Sequence, residues 1–294
     1  MRARVARKVL GLVDPPSLHR FDRGTWATNR LEPFPVTDVN GDPTLAAGTT
    51  DAVGIDLRVD EQLERLAGWG RRGPEVFAPI RADRLINLTG PTAGPIANVY
   101  YSTPDAEVYA SIILDLQPRR IVEIGGGFST LVARHAITAA GSDTSLVVVD
   151  PEPRTEIARA ASEVLRRRVE TMSPEELVVG EGEVLFIDSS HVIRTGGDLP
   201  FLFLEVLPRL PSGAVVHVHD IYLPYGYASD FAQRFWTEQY LLQALLTGSD
   251  RYEVLFATHL MSRRHVDEMR AVFGPHVGAA DGPSYGQSFW LRIR

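Results

Sequence analysis

The chain has 294 residues, 44% of them hydrophobic and 23% charged, which is enough apolar material for one large globular domain with an appendage. Its formal net charge is -7, with a pI near 5.6, so the basic surface of a nucleic-acid binder is missing. The absence of cysteine excludes a disulfide framework, a thiolate zinc site and a cysteine nucleophile, and fits a reducing cytoplasm.

The chain begins on a basic run, Met1 to Lys8, whose short apolar continuation ends at Asp14-Pro15-Pro16. It is too short for a signal-peptide core and reads as a basic helix. No window approaches the roughly 20 apolar residues of a membrane span. Residues 1–95, rich in Pro, Gly, Thr and Asp, are expected to form an N-terminal extension, a lid or dimer element packed on a domain of residues 96–294. One helix stands out there, over 60–69, with Leu63, Leu66 and Trp69 at helical spacing.

From about residue 105 the pattern becomes regular. Helices are predicted over 106–116, 129–140, 156–166, around 202–207 and over 230–246. Strands are predicted over 121–124, 146–149, 184–187, 214–218, 252–256 and 288–293. Short apolar strands alternating with helices imply an α/β, doubly wound, mostly parallel seven-stranded sheet of the Rossmann-like kind, covered on both faces. Ligands bind such sheets at the carboxyl ends of the strands.

At one such end lies Glu123-Ile-Gly-Gly-Gly-Phe-Ser-Thr130. Gly125, Gly126 and Gly127 let the backbone approach a ligand, and the helix that follows, with Ser129 and Thr130 in its first turn, offers free N–H groups. Asp150 ends the next strand, where a carboxylate accepts both hydroxyls of a ribose. Thr130 stands where a dinucleotide fingerprint wants its third glycine, which counts against NAD. Glu123 repels a pyrophosphate but suits a cationic amine, which favours S-adenosylmethionine. A nicotinamide-dependent oxidoreductase and a non-catalytic binding protein on the same fold stay as alternatives.

Four stretches, Glu123 to Thr130, Val148 to Arg154, Leu185 to Val192 and His217 to Pro224, resemble class I S-adenosylmethionine-dependent methyltransferases, most closely the small-molecule group called methyltransferase domain 24. The resemblance covers about residues 95–294 and implies a small-molecule methyltransferase; the family's substrates are diverse, and the acceptor expected here is a hydroxyl of a natural product or sugar.

The apolar run Val184-Leu-Phe-Ile187 stops on Asp188-Ser-Ser-His191, and the next strand ends on His217-Val-His-Asp220. Neighbouring strands sit about 4.8 Å apart, so Asp188, His219 and Asp220 converge and suit a divalent cation such as Mg2+. The layout is similar to the catechol-type O-methyltransferases, with His219-Asp220 in place of an Asp-Asn pair and His191 in place of the catalytic lysine. His191 is the expected general base, with His219 as a second catalytic residue; Asp188 is also placed beside the cofactor. His217 reads as core. Tyr222 and Tyr225 are expected to wall the acceptor pocket, Phe231, Phe235, Trp236 and Tyr240 to pack as core, and Tyr100 and Tyr101 to fold over the cofactor. A homo-oligomer is allowed.

Overall fold

The computed structural model describes residues 51–72, 77, 101, 103–153, 157, 159–227, 234, 236–278 and 285–294. The chain divides into two compact units, one of residues 1–48 and 227–235, the other of residues 49–226 and 236–294. The first lies almost wholly outside the described residues, and so do the expected basic N-terminal helix, Tyr100, Phe231 and Phe235. The second unit holds the sheet.

Seven strands make that sheet: β1 Arg120–Ile124, β2 Ser145–Val149, β3 Glu163–Leu165, β4 Val184–Ile187, β5 Val215–Val218, β6 Tyr252–Ala257 and β7 Phe289–Ile293. Their order is β3-β2-β1-β4-β5-β7-β6, with β7 antiparallel to both its neighbours. The helices are α1 Val59–Gly70, α2 Asp105–Leu116, α3 Phe128–Ala140, α4 Pro174–Leu177, α5 Asp198–Phe201, α6 Glu238–Leu246, α7 Thr258–Arg264 and α8 Val266–Phe273. β4 and β5 are buried along their whole length, as strands covered on both faces must be, which is why they read as unbroken apolar runs.

Two apolar clusters flank the sheet. One gathers Val122, Leu185, Val216 and Leu291 with residues of α5 and α6. The other gathers Ile121, Phe186, Val215 and Trp290 with α2, α3 and α8, and it also takes Leu66, Trp69 and Phe77 from the expected extension. Trp69 lies 4.8 Å from the Phe256 ring and 6.1 Å from that of Phe273, and its Nε1 donates to Asp115 at 2.7 Å. Part of the region expected to pack on the domain as a lid or dimer element thus supplies some of the sheet's own cover.

Two expectations need correction. The helix predicted over 156–166 is not formed: residues 163–165 are β3, and Ser162 donates its N–H to Leu146 O and receives the Leu146 N–H on its Oγ. Edge pairing with β2 outweighs the weak helical spacing. The helix predicted over 230–246 begins only at Glu238, because the N–H groups of Thr237 and Glu238 bond to the carbonyl of His191. Residues 228–233 and 235 lie outside the described residues. No helix among the described residues is long and apolar enough to cross a membrane.

Candidate active site

The glycine turn between β1 and α3 is pressed against the end of β4. Gly125 has φ +92°, and a Cβ there would stand 1.9 Å from the carbonyl oxygen of Asp188, so only glycine fits. Gly126 faces Ile157 and Val148, each 2.6 Å from where its Cβ would be, whereas Gly127 faces open space. The turn is braced from below. Glu123 is fully buried, accepting the Tyr109 hydroxyl at 3.0 Å and the Thr130 hydroxyl at 2.6 Å, with Ser129 adding a third. Burial pushes its carboxyl up to about 7 against these hydroxyls. Glu123 therefore holds the turn in shape, rather than lying open to a cationic amine. Asp150 is tied to the turn as well, accepting the N–H of Gly126 on Oδ2 and that of Glu152 on Oδ1, both at 2.8 Å.

Beside the turn, the residues after β4 and β5 meet. His191 Nε2 lies 3.4 Å from Asp188 Oδ1 and 3.2 Å from Asp220 Oδ2. His191 Nδ1 lies 2.9 Å from Glu238, a fully buried carboxylate at the first position of α6. Both His191 and Asp220 have positive φ, 59° and 58°, and such conformations cluster at functional sites. The loop is pinned by Asp198 at the start of α5, which accepts the Ser190 N–H at 3.0 Å and its hydroxyl at 2.7 Å. The polar break after Ile187 is thus a built structure, with Ser190 anchored and Asp188 and His191 facing the site.

His219 meets the same carboxylates from the other side. Its Nδ1 is 3.7 Å from Asp188 and from Asp220, and its Nε2 is 3.5 Å from Asp105. Burial disfavours charge on His191, yet Asp188, Glu238 and Asp220 outweigh it and raise the imidazole to about 10. Burial likewise opposes charge on His219, but Asp188 and Asp220 carry it well above its usual value. Asp188 is held well below the carboxylate range, burial being outweighed by His219 and His191. His217 is core: it stacks on Phe186 at 3.8 Å, bonds Ser288 at 3.0 Å, and is kept neutral by burial and by His219.

One ligand atom from each of Asp188, His191 and Asp220 falls within 4.8 Å of the others, the set among the described residues that could hold a metal. An imidazole nitrogen with two carboxylates and no thiolate suits a hard or borderline divalent ion. Glu238 behind His191 is the outer partner that metal-bound histidines usually have. Sequence reading put His219 in that set and passed over Glu238. Of the tyrosines, Tyr101 is buried beneath His219, with ring centres 5.0 Å apart, rather than folded over the turn. Tyr222 is buried against His259, and Tyr225 is partly exposed beside it. Gln239 ties this loop to α6, accepting the Tyr222 N–H and donating to Tyr225 O. Trp236 lies 4.6 Å from the His191 ring, and Tyr240 is exposed, so neither is core.

Residues 122–221 match the family Methyltransf_24, described as a methyltransferase domain, and take in the first three stretches whole and the fourth as far as Ile221. Over those residues the chain is similar to a methyltransferase domain. The α/β, mostly parallel seven-stranded sheet expected from the sequence is the one formed. No curated protein matches the chain. Among solved structures, the chain is similar to an O-methyltransferase from Bacillus cereus in complex with SAH, with 15% identity and a TM-score of 0.40 over 79% of this chain and 90% of that one. It is also similar to the O-methyltransferase TomG from Streptomyces achromogenes, involved in tomaymycin synthesis and in complex with SAM, with 17% identity and a TM-score of 0.39 over 85% and 92%. A third is the SAH-bound methyltransferase PaMTH1 of Podospora anserina, with 15% identity and a TM-score of 0.41 over 80% and 88%.

Proposed function

We propose that the chain transfers the methyl group of S-adenosylmethionine to a hydroxyl oxygen of a small-molecule acceptor, a natural product or sugar, at the Asp188–His191–Asp220 cluster. The observation that carries this reading is the contact of the glycine turn with the backbone of Asp188. A donor lying along Gly125 to Gly127, with its ribose at Asp150, has its reactive end beside the cluster, where an oxygen acceptor must be aligned. The turn suits that donor: Gly127 faces open space and α3 presents its N-terminus.

The donor set also fits a divalent ion held by Asp188, His191 and Asp220, with Glu238 fixing the His191 ring. Such an ion lowers the pKa of a coordinated hydroxyl. An ion would neutralise Asp188 and Asp220, the charges that raise His219, so that a neutral His219, facing both from Nδ1 and steadied by Asp105, would be the group placed to accept the hydroxyl proton. A second reading, in which His191 works without a metal, is favoured by its direct bond to the buried Glu238; with its imidazole raised to about 10 it acts as a base only in its unprotonated fraction, so turnover in that case rises with pH toward 10.

Calorimetry with S-adenosylhomocysteine and with NAD tests the donor, the expected result being binding of the first and none of the second. Turnover then separates the mechanisms. Loss of activity with a chelator, and in Asp220→Ala, with a fall of roughly 10²–10⁴-fold in His219→Ala, is the expected outcome. Activity that resists the chelator but collapses in His191→Ala selects the metal-free base.

A further inference from the structure

The carboxyl edge of the sheet is asymmetric about Asp188. On one side lie the glycine turn and Asp150, the half suited to the methyl donor. On the other, beyond β5, three segments converge. The loop after β5 brings Tyr222 and Tyr225, and α7, which follows β6, brings His259, Arg263 and Arg264. Tyr285 stands just ahead of β7, whose antiparallel direction puts its start at this same edge.

The arginines are held in an unusual way. Arg263 Cζ lies 4.9 Å from the centre of the Tyr225 ring and 5.0 Å from that of Tyr285. Arg264 Cζ lies 5.8 Å from the Tyr225 ring, and its Nε donates to the Tyr225 hydroxyl at 3.3 Å. Both side chains are exposed. Among the described residues neither forms an ion pair, although Asp267 and Glu268 follow within a turn; Glu268 pairs only with His265, at 3.9 Å. In a chain of net charge -7, an Arg-Arg pair without a carboxylate is a local reversal of sign. Rings against a guanidinium limit its rotamers, and its N–H fork stays available to a carboxylate or phosphate.

The clamp is joined to the catalytic cluster. His259 packs between Tyr222 and Tyr225, with ring centres 4.9 and 5.5 Å away, and its Nδ1 bonds the carbonyl of Gly286 at 2.9 Å. Burial lowers the His259 imidazole to about 4, so it adds no charge of its own at neutral pH. Asp105 accepts the N–H groups of Gln287 and Ser288 and faces His219. Tyr222 is two residues beyond Asp220.

We propose that Arg263 and Arg264, held by Tyr225 and Tyr285, bind an anionic group, a carboxylate or a phosphate, carried by the methyl acceptor. That the ligand is the acceptor rests on the methyl-transfer reading; the anion site rests on the clamp alone. The test is calorimetry on the full chain with S-adenosylhomocysteine present, using benzoate and phenyl phosphate as anionic probes and benzyl alcohol and phenol as their neutral counterparts. The anions should bind on the order of tenfold or more tighter than the neutral probes, the weight of one charge-assisted fork. The comparison of benzoate with phenyl phosphate tells which anion the site prefers. Arg263→Gln should erase the preference, Arg263→Lys should restore part of it, and neither should change S-adenosylhomocysteine affinity. Equal binding of all four probes, no binding of any, or a preference that survives the double change Arg263→Gln, Arg264→Gln overturns the site. An anion preference lost in Arg263→Gln in a protein that never binds S-adenosylhomocysteine keeps the site and removes the methyl-transfer reading.

Discussion

Glu123 sets a pH dependence that belongs to a single residue. Its folded-state carboxyl is raised to about 7 from an ordinary 4.5, chiefly by burial. Between those values the folded chain keeps a proton that the unfolded chain has lost, so stability falls as pH rises through that window. The slope is about 1.4 kcal/mol per pH unit, and the whole effect on the order of 3 kcal/mol. Glu123→Gln removes the titration and keeps one of the two acceptor oxygens that take the Tyr109 and Thr130 hydroxyls. Urea unfolding from about pH 5 to pH 8 should therefore show the variant gaining on the natural protein as pH rises; a constant difference between the two means that Glu123 does not titrate there. At this scale much of the site was legible. Asp188, His191, His219 and Asp220 are polar residues at the ends of apolar strands, and the sheet leaves them nowhere else to go. Glu238 was not legible, because in a helix expected from residue 230 it falls mid-helix, where a charge reads as solvent-facing. Only the late start of α6, fixed by the carbonyl of His191, turns it inward.

Among the elements, α1 shows how far a helix outside the alternating pattern contributes to it. It packs on β6 and α8 through Leu66 and Trp69, and Trp69 is both buried and bonded to Asp115. Trp69→Ala should cost about 3–5 kcal/mol, as large aromatic truncations in cores do. Trp69→Phe keeps the ring contacts and loses the bond, so about 1 kcal/mol is expected. Denaturant midpoints of the two variants check this, and equal midpoints would mean that the ring does not hold α1 in place. The sequence marked α1 because its Leu and Trp recur at helical spacing. It marked β1, β2, β4 and β5 because strands buried on both faces are unbroken apolar runs. β3 failed that rule: three residues at an edge, Glu163-Val-Leu165, are partly exposed and carry no alternation, and their structure is set by β2. α7 and α8 were also missed, since Thr258 to Phe273 mixes arginines and acidic residues among its apolar positions.

For the whole molecule, the composition boundary near residue 95 is not a boundary of the core. The cluster on one face of the sheet is closed by Leu66, Trp69 and Phe77, each about 1% exposed, together with Phe256, Phe273 and Trp290. Removing residues 1–95 uncovers that face. Each large side chain lost forfeits roughly 1.5–3 kcal/mol of burial, and the apolar groups they cover become exposed as well. The sum rivals the 5–15 kcal/mol by which a domain is stable, a general figure of order of magnitude. A chain shortened to residues 96–294 is therefore expected to aggregate or to melt without a cooperative transition. One shortened to residues 49–294, which keeps α1 and Phe77, should melt cooperatively and keep its near-ultraviolet circular dichroism. The decisive comparison is the calorimetric transition of the two. If residues 96–294 alone gave a single sharp transition at the temperature of the longer chain, α1 and Phe77 would be ornaments on a core complete without them, and the compositional boundary would be the physical one.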